Sequence, residues 1–209
     1  MTQRTGHITP QNTQSRPLTY IHKKLKWNTL IRLASSLVSF FLTATALTTF
    51  TPGSQSLAQW EPAFGDRFIA DTAENVGYLV HRNGHFTAFP IATGQRRVVR
   101  YIGLTYDATT PEGEWMAKSR HIKGDRITYG PTGRFIRLYK DNDFTHYGIH
   151  TYAYEDEFLG GEDRFKSMGC IVASERVFDI IEKTYYMNGK YLDVTTKYGV
   201  EGTSVAFNN

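Results

Sequence analysis

Short runs of aromatic and β-branched residues, separated by turn residues, fill most of the chain after residue 78. Runs of this kind are typical of β-strands. The first two flank Asn83 and Gly84, and an Asn-Gly pair between two such runs is the strongest short-range signal of a β-hairpin. The pattern therefore predicts a mainly β domain, with candidate strands at residues 78–82, 85–91, 97–104, 134–140, 146–154 and 190–196.

A different periodicity follows Ser174, where apolar positions recur at intervals of three and four residues. This spacing places them on one face of an α-helix. Ser174 is a favourable N-cap and Gly189 a favourable C-cap, so we expect the helix to lie between these two residues. Its apolar face comprises Val177, Ile180, Ile181, Thr184 and Tyr185. We therefore predict a mainly β fold with one or two helices.

The first 58 residues have the pattern of a targeting segment. Six cations precede a mostly apolar run at 33–50, and no acidic residue occurs before Glu61. Small residues just before Gln59 suit signal-peptidase cleavage at that point. An uncleaved membrane anchor is the main alternative, and a buried core helix is another. The chain is therefore divided into a signal peptide or signal anchor at 1–58, a short lead-in at 59–77 and one domain at 78–209.

The positive flank of this segment lies on its N-terminal side, which places the rest of the chain outside the cytoplasm. We expect an exported protein of the periplasm or cell envelope, in contact with a membrane only through an uncleaved N-terminal segment. The chain has 24 Lys and Arg against 20 Asp and Glu, and removing the six N-terminal cations leaves 18 against 20, a net charge of about −2. The basic balance of the whole chain therefore gives no indication of a nucleic-acid partner.

Cys170 is the single cysteine of the chain and lies in the stretch FKSMGCIVAS. A reactive cysteine needs a nearby base, and His150 precedes it by twenty residues within a predicted strand. The residues alone leave three interpretations open: a Cys170–His150 pair, an inert buried cysteine, or a metal site that includes His146 and His150. The acidic loop at 155–163 could bind calcium, although such loops are usually only solvated.

Four segments occur in an order that is characteristic of one family. They are FPIATG at 89–94, TPEGEW at 110–115, GIHT at 148–151 and SMGCIV at 167–172. These segments resemble the catalytic domain of the L,D-transpeptidases (YkuD-like), in which a histidine of an IHG or IHS stretch is followed by a Ser-His-Gly-Cys motif. The resemblance covers residues 78–196 and implies a β-sandwich-type catalytic domain of a cell-wall enzyme that needs no cofactor and no metal.

The resemblance also implies a role for each matching residue. Cys170 would be the nucleophile, and His150 the base that activates it and later protonates the leaving amine. The backbone carbonyl of Thr151 would orient the imidazole. The backbone N–H groups of Gly169 and Cys170 would form the oxyanion hole, and Ser167 would shape the loop.

Two positions of the motif depart from the family pattern. Met168 stands where the family has histidine, and Val172 stands where it has arginine or asparagine. We expect both positions, together with Tyr152, to affect substrate binding. The contact that the family residue at position 172 would make with the peptide's carboxylate is missing, and a nearby cation could replace it, with candidates Arg164, Lys166 and Arg176.

The function implied by the resemblance is that of a cysteine-dependent peptidoglycan L,D-transpeptidase. The enzyme would form a thioester with a stem tetrapeptide and pass it to an amine acceptor, which cross-links the cell wall. The expected partners are peptidoglycan stem peptides, with an outer-membrane lipoprotein as a further candidate acceptor. The alternatives are an L,D-carboxypeptidase, a wall hydrolase that detaches a lipoprotein, and a non-catalytic peptidoglycan-binding domain.

Overall fold

The computed structural model describes residues 53–200 of the 209-residue chain. The predicted targeting segment lies almost wholly outside these residues and stays a prediction. No helix within the described part has the length and apolar character needed to cross a bilayer. The strands are β1 Arg67–Asp71, β2 Val76–Val80, β3 Phe86–Pro90, β4 Thr93–Gly94, β5 Val98–Tyr101, β6 Leu104–Asp107, β7 Gly113–Ile122, β8 Arg134–Lys140, β9 Asp143–His150, β10 Phe165–Ser167, β11 Ile171–Val172 and β12 Leu192–Lys197. The helices are a 3₁₀ turn at Leu57–Gln59, α1 Glu155–Leu159 and α2 Glu175–Met187.

Eight strands form one mixed sheet in the order β11-β9-β8-β7-β12-β1-β2-β3. The β1–β12 and β11–β9 pairs are parallel, and the other neighbours are antiparallel. The two edges of the sheet meet because Ala92, just beyond β3, exchanges two backbone hydrogen bonds of 2.8 Å with Val172 of β11. The sheet therefore curls around one core, to which all eight strands contribute buried apolar side chains. The prediction of a mainly β fold with one or two helices is confirmed.

The strands and the helix with the clearest sequence patterns form where the sequence predicts them. The first two candidate strands become the antiparallel pair β2 and β3, and Gly84 between them has a φ of +82°. The candidate at 134–140 coincides with β8. In α2, the Ser174 side chain accepts a hydrogen bond of 3.3 Å from the Val177 N–H, as expected of an N-cap.

The candidate strand at 97–104 is wrong as a single strand. The chain turns back at Ile102 and Gly103, which have φ values of +49° and +78°, and forms a hairpin from β5 and β6. Three apolar side chains of this hairpin project into solvent: Val98, Ile102 and Leu104. The β-branched composition predicted extended backbone correctly, but it gave no signal for the turn at a non-glycine residue.

Helix α2 packs its apolar face on the core and is fixed to the sheet by one buried cation. The Arg134 guanidinium of β8 donates to Asp179 and Glu175 at 2.6 Å and to Glu182 at 2.9 Å. Arg134 is only 8% exposed, so these carboxylates offset the cost of burying its charge. The contact places Glu175, the first residue of α2, beside the end of β9, where the candidate site lies.

Candidate active site

The parallel pairing of β9 with β11 brings the predicted nucleophile and base to the same part of the sheet. Ile171 pairs with Ile149 and Val172 pairs with His150, so Cys170, one residue earlier, lies beside Gly148. Side chains alternate between the two faces of a sheet. The side chains of Cys170 and His150 are therefore on the same face, which is opposite to the face that carries Ile149 into the core.

The Cys170 thiol lies over the backbone of β9. Its Sγ is 3.9 Å from the carbonyl oxygen of His146, and the Gly148 N–H is directed at the sulfur. Burial raises the pKa of the thiol to about 11, while the Gly148 N–H and the cations Arg137 and Lys123 oppose the increase. The residue surface is still partly exposed, so a small reagent can reach it. The thiol is therefore protonated near neutral pH.

The His150 imidazole is held in one orientation by the backbone. Its Nδ1 lies 2.7 Å from the Thr151 carbonyl oxygen, and because a carbonyl only accepts, Nδ1 carries the proton and donates. Burial among aromatic rings, with the Tyr129 ring centroid at 5.1 Å and that of Phe135 at 6.1 Å, lowers the pKa of His150 to about 4, although the backbone carbonyls of Thr151 and Thr128 oppose the decrease. The imidazole is therefore neutral near neutral pH, with a lone pair on Nε2.

The two groups form a neutral pair and not an ion pair. Within residues 53–200, the hydrogen bonds of the Cys170 and His150 side chains run to backbone groups and not to each other. Chemistry at this site therefore requires that the thiol lose its proton to the imidazole during attack and not before it. A bound substrate that excludes water and brings the two groups together would meet this requirement.

Ser167 organises the loop before the cysteine. Its hydroxyl donates to the Cys170 carbonyl oxygen at 2.5 Å and accepts from the Gly169 N–H at 3.1 Å. The Gly169 N–H, predicted as an oxyanion donor, is thus already engaged. No hydrogen bond from the Cys170 N–H to another residue of 53–200 occurs. The Cys170 N–H is therefore the more available of the two donors, and the two-donor oxyanion hole stays a prediction.

Glycine is required at position 169 for two reasons. The backbone has a φ of +111°, which side chains disfavour, and an added Cβ would lie 2.9 Å from Cε1 of Tyr147. The loop is further fixed by the buried hydroxyl of Thr110, which accepts from the Gly94 N–H at 2.8 Å and donates to the Gly169 carbonyl oxygen at 3.0 Å. Sequence analysis assigned no role to Thr110, although its membership of the TPEGEW segment was a usable signal.

Thr151 connects the imidazole to helix α2. Its backbone carbonyl accepts from His150, and its side-chain Oγ1 donates to Oε1 of Glu175 at 2.5 Å. Glu175 in turn accepts from Arg134. The carbonyl that orients the base is thus part of a chain of hydrogen bonds anchored on a buried guanidinium, which limits rotation of the imidazole.

The residues predicted to bind substrate have different environments. Met168 is partly exposed, and its Sδ accepts from Nε2 of Gln95 at 3.2 Å. Tyr152 packs on Phe158 of α1 with a ring distance of 4.0 Å. Val172 has no exposed surface because it is enclosed at the seam with Ala92. Val172 thus packs in the interior, and its predicted role in substrate binding stays a prediction. No group of three or more His, Cys, Asp or Glu side chains that could hold a metal ion occurs among the described residues.

The buried neutral imidazole makes the stability of the protein sensitive to acid. The pKa of His150 is about 4 in the folded chain against an ordinary value of 6.5, so the unfolded state binds more protons as the pH falls. We expect the free energy of unfolding to have its full value above pH 6.5 and to decrease by about 3 kcal/mol between pH 6.5 and 4. Urea denaturation of the wild type and of His150→Gln at a series of pH values measures this loss. An equally steep decline in the variant would contradict the assignment.

Comparison with known proteins gives one family match. The family model described as the L,D-transpeptidase catalytic domain matches residues 65–205. Among solved structures, an L,D-transpeptidase from Xylanimonas cellulosilytica is 16% identical with a TM-score of 0.47, covering 66% of this chain and 63% of that one. The helical cell shape determining protein Pgp2 from Campylobacter jejuni is 19% identical with a TM-score of 0.46, covering 65% and 48%. The chain thus spans less than two thirds of either structure, and no curated protein matches it.

Proposed function

Because the chain belongs to the family of L,D-transpeptidase catalytic domains, we propose that it is an exported cysteine acyltransferase that cross-links peptidoglycan stem peptides. One observation carries the proposal: Cys170 and His150 lie on the same face of two paired strands, with the imidazole oriented by the Thr151 carbonyl. A cysteine with an oriented histidine on a common surface is the arrangement that acyl transfer through a thioester requires.

In the first half-reaction, the Cys170 sulfur attacks the carbonyl carbon of the third residue of a stem tetrapeptide. Nε2 of His150 takes the thiol proton as the carbon–sulfur bond forms, and the Cys170 N–H stabilises the oxyanion. When the tetrahedral intermediate collapses, the carbon–nitrogen bond breaks and His150 returns the proton to the departing amine. The products are free D-alanine and a thioester between the peptide and Cys170.

The second half-reaction returns the thiol to its starting state. An amine of a neighbouring stem peptide attacks the thioester carbonyl and transfers a proton to Nε2 of His150. An amide forms, the carbon–sulfur bond breaks, and the sulfur recovers its proton. Water as acceptor would yield an L,D-carboxypeptidase product at the same site, and an amine of an outer-membrane lipoprotein would yield a protein attached to the wall. The acceptor does not alter the demands on Cys170 and His150.

The proposal is tested with the purified protein and a tetrapeptide muropeptide. We expect intact-mass analysis to show an adduct equal to the acyl group on Cys170, accompanied by free D-alanine. With a second muropeptide present, cross-linked dimers joined at their third residues should accumulate. A protein that gives neither adduct nor D-alanine, although it is folded, would overturn the proposal.

One observation favours a second candidate function, a non-catalytic peptidoglycan-binding domain. The thiol is protonated, and its hydrogen bond runs to the backbone of β9 and not to the imidazole. A binding domain would sediment with intact sacculi but would form no covalent adduct with a carbapenem, a reagent that acylates members of the family. A carbapenem adduct on Cys170 would decide in favour of the acyltransferase.

A further inference from the structure

We propose that Arg137 and Lys123 form a cationic subsite that binds the terminal carboxylate of the donor peptide beside Cys170. This inference rests on the proposed function and names the group that would replace the arginine or asparagine absent from position 172. The subsite belongs to β8 and to the segment after β7, and no residue of the cysteine motif contributes to it.

Strand register places Arg137 on the same face of the sheet as the thiol, with β9 between them. Arg137 pairs with Gly148 across β8 and β9, and Gly148 lies beside Cys170 across β9 and β11. Paired residues project from the same face of a sheet. Gly148 has no side chain, and the Phe135 ring of β8 packs over it, with Cζ of Arg137 5.0 Å from the centroid of that ring. Both cations act on the pKa of Cys170.

The guanidinium of Arg137 is buried without an anion. The residue is 9% exposed, its Nη1 donates to the Thr145 carbonyl oxygen at 2.5 Å, and its Cζ lies 5.0 Å and 4.2 Å from the ring centroids of Phe135 and Phe144. Its Nε is buried with no hydrogen-bond partner. None of the salt bridges within residues 53–200 includes Arg137. A buried, unpaired cation is costly, and a bound carboxylate would remove that cost.

Lys123 supplies a second positive charge on the same side. Its Nζ lies 5.1 Å from the ring centroid of Phe135 and 5.7 Å from that of Tyr129. It too is absent from the salt bridges of the described residues. The rings of Phe135 and Tyr129 also pack against His150, so both cations contact aromatic rings that contact the imidazole as well.

The cations expected from the sequence are engaged elsewhere or lie apart. Arg164 donates to the carbonyl oxygens of Glu74 at 3.0 Å and Gly161 at 3.2 Å. Lys166 donates to the carbonyl oxygen of Glu157. Arg176 is exposed on α2. Arg164 and Arg137 both have a buried Nε without a hydrogen-bond partner. The structure favours Arg137 because its pairing with Gly148 places it on the same face of the sheet as Cys170.

The chemistry of the donor peptide suits this subsite. The amide that Cys170 attacks is followed by a single residue, so the terminal carboxylate is only a few bonds from the reacting carbon. A planar guanidinium binds carboxylates through two parallel hydrogen bonds, and lysine adds a point charge. A carboxylate held at Arg137 would direct the scissile carbonyl toward the neighbouring thiol and would reject peptides that lack the terminal charge.

The first experiment compares a tetrapeptide that has a free terminal carboxylate with the same peptide ending in a carboxamide. We expect the wild type to prefer the carboxylate by at least about tenfold in kcat/KM, as hydrogen bonds to a charged group allow. Arg137→Gln should reduce the preference to near one, Arg137→Lys should restore part of it, and Lys123→Gln should reduce it less. Arg176→Gln, a matched control on the helix surface, should retain it. A wild type that uses both peptides equally would overturn the subsite while leaving the proposed function intact.

The second experiment does not depend on turnover. Iodoacetate and iodoacetamide alkylate the same thiol and differ in charge, and Cys170 is the only cysteine in the chain, so the label reports on it alone. The ratio of the alkylation rate with iodoacetate to that with iodoacetamide should fall about tenfold in Arg137→Gln. If that variant does not fold, Lys123→Gln, at a partly exposed position, should show a smaller fall in the same ratio. Equal slowing of both reagents would show that Arg137 acts on the thiolate and would overturn the subsite. If the ratio of the two alkylation rates depends on Arg137 but neither peptide forms an acyl adduct with the protein, the proposed function is refuted and the subsite is not.

Discussion

Replacement of Cys170 by alanine is expected to abolish the release of D-alanine from a tetrapeptide muropeptide, with a loss of at least about a thousandfold. In the proposed mechanism the sulfur is the atom that forms the thioester, and the Ser167 hydroxyl of the same loop cannot replace it. Ser167 donates its proton to the Cys170 carbonyl and accepts the Gly169 N–H, so it is held in the loop and directed at the backbone. D-alanine quantified over time, together with intact-mass detection of the acyl adduct, measures the effect.

The control for this variant is its stability. Alanine removes only the sulfur from a partly exposed position, so the urea denaturation midpoint should change little. Cys170→Ser, which keeps a poor nucleophile at the same place, should be as inactive within about tenfold. A folded Cys170→Ala protein that releases D-alanine at the wild-type rate would exclude the thioester mechanism.

Replacement of His150 by glutamine is expected to reduce kcat/KM by about a hundredfold or more, since general-base assistance contributes that much. The reason is specific to this site: the thiol pKa is raised to about 11, so nearly every attack must begin with a protonated sulfur. Glutamine cannot accept the proton at Nε2. The wild type should also keep its activity down to about pH 4, because the pKa of His150 is lowered to about that value.

A pH-rate profile of kcat/KM for both proteins provides the measurement. His85→Gln, in the turn between β2 and β3, is the matched control and should retain the wild-type profile. A wild-type acid limb near pH 6.5 would contradict the neutral, buried environment described for the imidazole. An unchanged rate in His150→Gln would remove this residue from the mechanism.

The sequence predicted the parts of the fold that depend on local pattern. The hairpin at Asn83 and Gly84, strand β8 and helix α2 all form from short segments whose turns, composition or caps specify them. A Cys170–His150 pair was expected from the family motifs and stays a prediction, while the strand pairing places the two side chains on one face of the sheet.

Three strands of the central sheet were not predicted: β1, β7 and the two-residue β11. β1 lies within 59–77, the segment interpreted as a lead-in, and four of its five residues are buried, so it has no alternation to recognise. β7 carries three charged residues among its ten, Glu114, Lys118 and Arg120. One of them, Arg120, is neutralised by Glu182 of α2 at 2.6 Å, a contact between residues far apart in the chain. Because the partner of Arg120 is distant in the sequence, the local pattern of apolar and polar residues does not reveal β7 as a strand of the central sheet.

The same limit applies to the site. Arg137 and Cys170 are far apart in the chain, and only the registers of β8 with β9 and of β9 with β11 place them together. The engagement of the Gly169 N–H by Ser167 depends on loop geometry that a motif does not encode. Register and loop conformation, not residue identity, therefore account for the contacts at this site that were not predicted.

The protonated resting state of Cys170 also affects the chemical lifetime of the protein. Peroxides attack thiolates, and the raised pKa leaves little thiolate at neutral pH. The chain has no second cysteine to capture a sulfenic acid as a disulfide, so oxidation at this sulfur would proceed toward irreversible forms. A proton kept on the sulfur would therefore slow the oxidative loss of Cys170.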